Sequence, residues 1–252
     1  MAWGDDYRLT QATQPGRLLV TGATGFLGRH LIPELLQAGW HIIGLVRPSR
    51  IQTARDRLVD VVTPLVSDLS VLDRLVAIPG DVCHTTLGPT NWAEWGHIDG
   101  VVHAASVLKF DESSRERVMA TNVDGTANVL AVALAQGWQQ VHYVSTAYVC
   151  GNVTGTISES LGDRATPPEF HNPYEESKCL AEHRVAQWQR NTGRVATILR
   201  PSIVIKEGPT DSRSGYYAFA SAITAASHSI PIVSRAGDDS GRSQCPLKSY
   251  FD

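Results

Sequence analysis

Residues 18–28 read Leu-Leu-Val-Thr-Gly-Ala-Thr-Gly-Phe-Leu-Gly. The apolar triplet Leu18-Leu19-Val20 predicts a short buried strand, and Arg29–Ala38 predicts a helix. Gly22, Gly25 and Gly28 fall between them. A glycine-rich turn at a helix start lets the main chain approach a phosphate closely. The first N–H groups of the helix and its positive dipole end then face that phosphate. The spacing is G-x-x-G-x-x-G, not the commoner G-x-G-x-x-G. The bland alternative is a tight turn that binds nothing. The strand–turn–helix setting points instead to the pyrophosphate of a nicotinamide dinucleotide, with Gly22, Thr24, Gly25, Phe26, Leu27 and Gly28 as the candidate loop.

Outward from this turn, strand-like and helix-like patterns alternate. Strands are predicted over Arg17–Val20, His41–Val46, Arg74–Ile78, Asp99–Ala105, Gln140–Thr146 and Val195–Leu199. Helices are predicted over Arg29–Ala38, Ile51–Val62, Ser113–Gln136 and Tyr174–Arg190. Short continuous apolar strands separated by helices predict an α/β fold, a Rossmann-type doubly wound parallel sheet covered on both faces. In such sheets ligands sit beyond the carboxyl ends of the strands.

The 252 residues suffice for one large α/β domain with a small second lobe, and 42% are hydrophobic, so a core can form. The net charge of −3 and the lack of any basic stripe argue against nucleic acid as a partner. Cys83, Cys150, Cys179 and Cys245 are scattered, without C-x-x-C pairing. They suggest neither a disulfide framework nor zinc, and the nine histidines lack metal-ligand spacing. Met1–Gly16 has no apolar core of a signal peptide, and no stretch approaches the roughly 18–20 apolar residues that span a bilayer. The expected location is cytoplasmic.

An NAD site usually carries an acid about 20 residues after the glycines, bonded to the ribose hydroxyls. Residues 41–50 contain none; the second strand ends in Arg47-Pro48-Ser49-Arg50. A guanidinium matches a 2′-phosphate in charge and fork geometry. Arg47, with Arg50 nearby, therefore predicts NADP(H) over NAD, against the alternative of solvated strand-end arginines. Asp81 is a candidate for the adenine amino group, or a turn residue in Pro79-Gly80-Asp81. Asp68 ranks below it.

Residues 172–182 read Asn-Pro-Tyr-Glu-Glu-Ser-Lys-Cys-Leu-Ala-Glu. Tyr174 and Lys178 are four apart and share a helix face. An ammonium near a phenol stabilises the phenolate, lowering its pKa from about 10 toward neutrality, so Tyr174 is read as a proton donor. The lysine can also hold a ribose hydroxyl. The fifth strand ends in Val144-Ser145-Thr146-Ala147-Tyr148-Val149, where a hydroxyl can steady charge on a substrate carbonyl. A Y-x-x-x-K pair alone is weak. Its place after a strand ending in Ser-Thr, in a chain that opens with a nucleotide loop, makes it specific.

The segments Thr21–Gly28, Val101–Ala105, Thr121–Thr126, Val144–Gly151, Tyr174–Lys178 and Leu199–Ser202 together resemble an extended short-chain dehydrogenase/reductase, of the NAD(P)-dependent epimerase/dehydratase superfamily. The resemblance implies Tyr174 as acid/base, Lys178 as its activator and ribose ligand, and Thr146, in preference to Ser145, as the carbonyl-binding hydroxyl. It implies that Asn122 supports the catalytic group, that Ala104 and Ala105 line the cofactor and that Pro201 flanks the nicotinamide. His103 and His142 read as core histidines with a satisfied hydrogen bond.

Several phrases, among them Gly22–Gly28, Val144–Val149 and Leu199–Val204, resemble the thioester reductase or fatty acyl-CoA reductase branch. So do the long insertion Pro48–Asp73 and the set Gly80-Asp81, Leu87-Gly88 and Trp92. That branch implies NADPH-dependent reduction of an acyl thioester, on coenzyme A or a carrier, to aldehyde or alcohol. Sugar epimerases or dehydratases and ketone or hydroxysteroid-type reductases share the core. A non-catalytic NADP-sensing regulator is a further alternative, which needs neither Tyr174 nor Lys178. The expected organisation is a tail over 1–16, an NADP-binding domain over 17–205 and a partial substrate lobe over 206–252, shorter than the family's usual lobe. The resemblance also implies a possible homodimer through the helices 113–136 and 174–190.

Overall fold

The computed structural model of the chain describes residues 15–89, 91–157 and 169–204. The expected lobe over 206–252, and all but the end of the expected tail, lie outside the described residues. Six strands are described: β1 (Arg17–Thr21), β2 (His41–Val46), β3 (Leu75–Pro79), β4 (Gly100–His103), β5 (Gln140–Val144) and β6 (Val195–Leu199). They pair in parallel in the order β3-β2-β1-β4-β5-β6. The order reverses between β1 and β4, and that switch point is where a doubly wound sheet opens its ligand crevice.

Alternate residues of the central strands feed two cores, one on each sheet face. Leu18, Val20, Ile42, Val46 and Val102 pack with Ile32 and Leu36 of α1 (Phe26–Gln37) and with Leu58 and Val62 of α2 (Ala54–Val62). Leu19, Ile43, Val101, Val141 and Tyr143 pack on the other face. There they meet Val129, Leu130, Val132 and Ala133 of α4 (Gly125–Ala135) and Ala181, Val185 and Trp188 of α5 (Pro173–Thr192). The sheet is apolar on both faces because both are covered.

The helix ends follow local chemistry. Thr53 caps α2 by accepting the Asp56 N–H. Asn172 caps α5 by accepting the Glu175 N–H at 3.0 Å, Pro173 takes the first helical position, and the Glu175 carboxylate reaches back to the His171 N–H at 3.1 Å. Gly193 ends α5 in the left-handed region with φ +69°.

The helix predicted as one run over Ser113–Gln136 is interrupted. Between α3 (Arg115–Met119) and α4, residues Ala120–Asp124 form a π-helical turn that holds Asn122 inside the fold. The run Glu112–Ala135 is also long and apolar enough to cross a membrane by length and composition, contrary to the expectation that no stretch would be. Its apolar character has a cause within the fold: Val118, Val129, Leu130, Val132 and Ala133 are buried, and α4 lies against the sheet and α5.

Candidate active site

The loop after β1 is the tightest part of the site. Gly22 sits at φ +70°, and a Cβ there would lie 2.7 Å from the main chain of Ala104 and Ala105. A side chain would close the approach between the loop and the end of β4. A Cβ on Gly28 would run into the carbonyl oxygen of Gly22, so α1 can pack onto the turn only with glycine there. Gly25 caps α1 without a side-chain hydrogen bond, and the first turn of α1 carries no acid. The amide groups of that turn keep the capacity to bind an anion. A cradle that a methyl group would fill, at a helix start free of acids, fits the phosphates of a dinucleotide. Thr24, Phe26 and Leu27 belong to the same turn, and the Phe26 ring meets His30 edge-on at 5.2 Å.

Ala104 and Ala105 follow β4 and form the wall that Gly22 approaches. The Ala105 N–H donates to the Thr21 hydroxyl at 3.2 Å. Arg47 and Arg50 lie exposed beyond β2, and the Arg47 carbonyl accepts from the Arg57 guanidinium. Asp81 closes a turn: its carboxylate accepts the Cys83 N–H at 3.0 Å. Asp68 caps a short 3₁₀ turn through Ser70, whose hydroxyl and N–H hold its carboxyl below the usual range. Asp68 is therefore occupied by its own turn.

Beyond β5, Thr146 is buried and caps the turn Ala147–Cys150 by accepting the Tyr148 N–H. The Thr146 side chain lies near enough to the Tyr174 hydroxyl to favour its ionised form. These two candidates approach one another, one from beyond β5 and the other from the first turn of α5. The Tyr174 ring also packs edge-on against Phe110 at 5.9 Å. Pro201 lies alongside, its carbonyl accepting the Ala147 N–H at 2.9 Å.

Lys178 is 2% exposed. Its ammonium donates to the Val144 carbonyl at 2.6 Å and stands 4.2 Å from the centre of the Tyr143 ring. Burial lowers its pKa to about 7, partly opposed by the Glu182 carboxylate. Burial pushes the Tyr174 hydroxyl up to about 12, against the opposing influence of Thr146. The expected pull of Lys178 toward a neutral Tyr174 pKa is thus absent from this arrangement. The ammonium is directed at a carbonyl and a neighbouring ring, and desolvation decides the phenol. Tyr174 is protonated at neutral pH.

Asn122 is fully engaged with protein groups. Its Oδ1 accepts the Val107 N–H at 2.7 Å and the Ser106 hydroxyl at 3.1 Å. Its Nδ2 donates to the Val107 carbonyl at 3.1 Å and to Ser177 Oγ at 2.9 Å. It ties the segment after β4 to α5 next to Lys178, and so holds the frame of the site.

The sequence reading passed over two groups that the fold places here. Glu182, also on α5 and 2% exposed, takes both Nε and Nη2 of Arg200, with Nη2 to Oε2 at 2.7 Å. This locks α5 to the segment after β6. Arg200 belongs to the phrase Leu199–Ser202 already singled out, and Glu182 stands four residues after Lys178 on the same helix, a spacing that was a signal for it. His103, read as a core histidine, is indeed buried and bonded on both ring nitrogens. His142 is only partly buried. A separate hollow, lined by Arg17, His41, Arg74 and Trp95 among others, lies at the amino ends of β1 and β2, opposite this site.

Three comparisons place the chain among known proteins. It is 28% identical over 198 residues to a 3β-hydroxysteroid dehydrogenase/Δ5→4-isomerase of Mycobacterium tuberculosis, covering 75% of this chain and 47% of that protein. The terminal R domain of the myxalamid PKS-NRPS pathway superposes with a TM-score of 0.70 at 28% identity, over 83% of this chain and 55% of the other. A thiolation-reductase di-domain from an archaeal non-ribosomal peptide synthetase gives 0.67 at 26%, over 83% and 59%. The chain spans about half the length of the curated relatives it matches first. Residues 20–232 match the NAD-binding family described as male sterility protein. With that match over most of its length, and with the parallel sheet and loop described above, the chain belongs to the male sterility protein family, within the extended short-chain dehydrogenases/reductases.

Proposed function

We propose that the chain is an NADP(H)-dependent oxidoreductase that reduces an acyl thioester to aldehyde or alcohol, with the acyl group on a carrier domain or on coenzyme A. The placing of Thr146 near the Tyr174 hydroxyl beyond β5, on the sheet whose β1 leads into the Gly22 cradle, carries this reading. The two reductase-domain likenesses support the thioester.

Gly22–Gly28 and the start of α1 would hold the pyrophosphate, Arg47 the 2′-phosphate with Arg50 near it, Ala104, Ala105 and Pro201 the rest of the dinucleotide, and Lys178 its ribose. Asp81 would contribute on the adenine side. A bound reduced nicotinamide supplies the hydride. Thr146 and Tyr174 then act on the substrate carbonyl oxygen. Thr146 orients it, and Tyr174 delivers a proton as negative charge develops; the C–S bond then breaks, the hydroxyl gives its proton up to re-form the carbonyl, and the sulfur leaves as the carrier or coenzyme A thiol. A phenol held protonated at neutral pH suits this acid role, which is the direction of reduction. Asn122 keeps α5 at its distance from the end of β4.

Arg47 favours NADPH because the end of β2 offers a cation where NAD enzymes place an acid. The second reading, a hydroxysteroid or ketone reductase, has its support in the mycobacterial relative. A screen of NADPH oxidation against acyl-CoAs, carrier-bound acyl groups, aldehydes, ketones and nucleotide sugars separates them. Turnover with acyl thioesters is expected. Turnover confined to ketosteroids or sugar nucleotides would overturn the thioester assignment. The location we propose is cytoplasmic, and any homodimer would use the helical face of α3–α5.

A further inference from the structure

We propose that His103 is a positioning residue that couples the dinucleotide loop to the helix carrying Tyr174 and Lys178. What it couples rests on the reductase reading; the chain of hydrogen bonds stands on geometry alone.

His103 ends β4 at the sheet centre, level with Thr21 of β1 and Tyr143 of β5. Its Nδ1 lies 2.7 Å from Thr21 Oγ1 and its Nε2 2.9 Å from Thr126 Oγ1. Every proton in this set can be assigned. Thr126 Oγ1 donates to the Asn122 carbonyl at 2.6 Å, and a hydroxyl has one proton to give. Thr126 must therefore accept from His103, so Nε2 carries hydrogen. A neutral imidazole then leaves Nδ1 as an acceptor, and Thr21 Oγ1 donates to it. Thr21 in turn accepts the Ala105 N–H. Burial lowers the His103 pKa to about 3, with the Lys178 charge adding to the effect, so the neutral ring persists at working pH.

The donors all run one way: from Ala105, at the wall facing Gly22, through Thr21, His103 and Thr126 to Asn122. The Asn122 amide continues the path to Ser177 Oγ, which donates to the Tyr174 carbonyl at 2.7 Å. One end of the path sets the gap at the cofactor loop. The other sets the first turn of α5. A protonated His103 would reverse the Thr21 bond and place a second cation near Lys178, beside the Tyr143 ring that packs on both. A neutral ring avoids both effects, and a well-satisfied buried network of this kind fixes a single geometry.

Three variants test the coupling: His103→Phe, Thr126→Val and the two combined, with Thr126→Ser as the conservative control. Dinucleotide affinity is read by fluorescence titration and kcat by NADPH oxidation, each per folded molecule. Each single variant is expected to weaken dinucleotide binding and lower kcat by about tenfold, the pair by no more than the worse single, because both cut one path. Thr126→Ser restores both. Losses that multiply in the pair, or a lowered melting temperature with unchanged kinetics, would overturn the proposal.

Histidine 15N NMR on the unliganded wild-type chain gives a readout that needs neither substrate nor a foldable variant. His103 is expected as the Nε2–H tautomer, without titration between about pH 5 and 9. An Nδ1–H tautomer or an imidazolium in that range would also overturn it. If this signature holds while no thioester is turned over, the substrate assignment fails and the coupling stands.

Discussion

The Lys178 ammonium donates to the main-chain oxygen of Val144, joining the interior of α5 to the last residue of β5. The bond explains how a lysine can be almost wholly buried: it has a carbonyl, an aromatic face and, one turn on, the Glu182 carboxylate. It also leaves the ammonium poised between charge states near neutral pH.

That poise gives a pH-dependent stability. The unfolded lysine binds its proton up to about pH 10.4, whereas folded Lys178 releases it near 7. Between these values the unfolded state holds more protons, so stability from this group rises with pH. The burial penalty is full below pH 7 and fades toward pH 10. In urea unfolding, Lys178→Met is expected to gain most over wild type at pH 6 and least at pH 9.5. A gain that grew with pH would contradict the assigned direction.

Arg47→Asp tests the 2′-phosphate contact. A charge-assisted bond to a phosphate contributes roughly 1.5–3 kcal/mol, or about 10- to 100-fold in affinity. NADPH affinity is expected to fall by that factor while NADH affinity changes little. Equal losses for both would remove Arg47 from the site.

Gly22→Ala is expected to abolish dinucleotide binding. The added methyl meets the Ala104 main chain at 2.7 Å and sits at φ +70°, costing of the order of 1–3 kcal/mol in backbone strain alone. Fluorescence titration reads the binding and thermal melting the strain. Retained affinity would show that the loop does not cradle phosphate.

Arg200→Met leaves the Glu182 carboxylate, 2% exposed, without its bidentate partner. Removing one partner of a buried pair costs about 3–5 kcal/mol, and a loss toward the lower figure is expected because Arg200 is partly exposed. Urea unfolding at pH 7 measures it. A loss under about 1 kcal/mol would mean that the pair behaves like an exposed salt bridge.

The parts of this fold legible from sequence are those with local signals. The glycine turn, the six apolar strands and the Asn172-Pro173 start of α5 each announce themselves within a few residues. So does the empty acid position after β2. The π turn at Ala120–Asp124 was not legible, because one extra residue in a helical turn leaves no propensity mark, and Asn122 and Gly125 read as residues inside one continuous helix. His103 was legible as buried and no further. Its partners Thr21 and Thr126 stand 82 and 23 positions away, and only the β1–β4 register and the seating of α4 bring them to one ring. The aim of Lys178 was misread for the same reason. Helical spacing put it on a face with Tyr174, but the packing of α5 on β5 turns its ammonium to Val144 and leaves desolvation to set the phenol.

The most direct measurement is the oxidation of NADPH in the presence of an acyl thioester, made on wild type and on Tyr174→Phe, with NADPH affinity determined for both. Wild type is expected to turn over and the variant to lose about 10²- to 10⁴-fold in kcat, with affinity nearly unchanged. Wild-type rates in the variant, or a wild-type chain that binds no NADPH, would contradict the assignment of Tyr174 as the proton donor at a dinucleotide site.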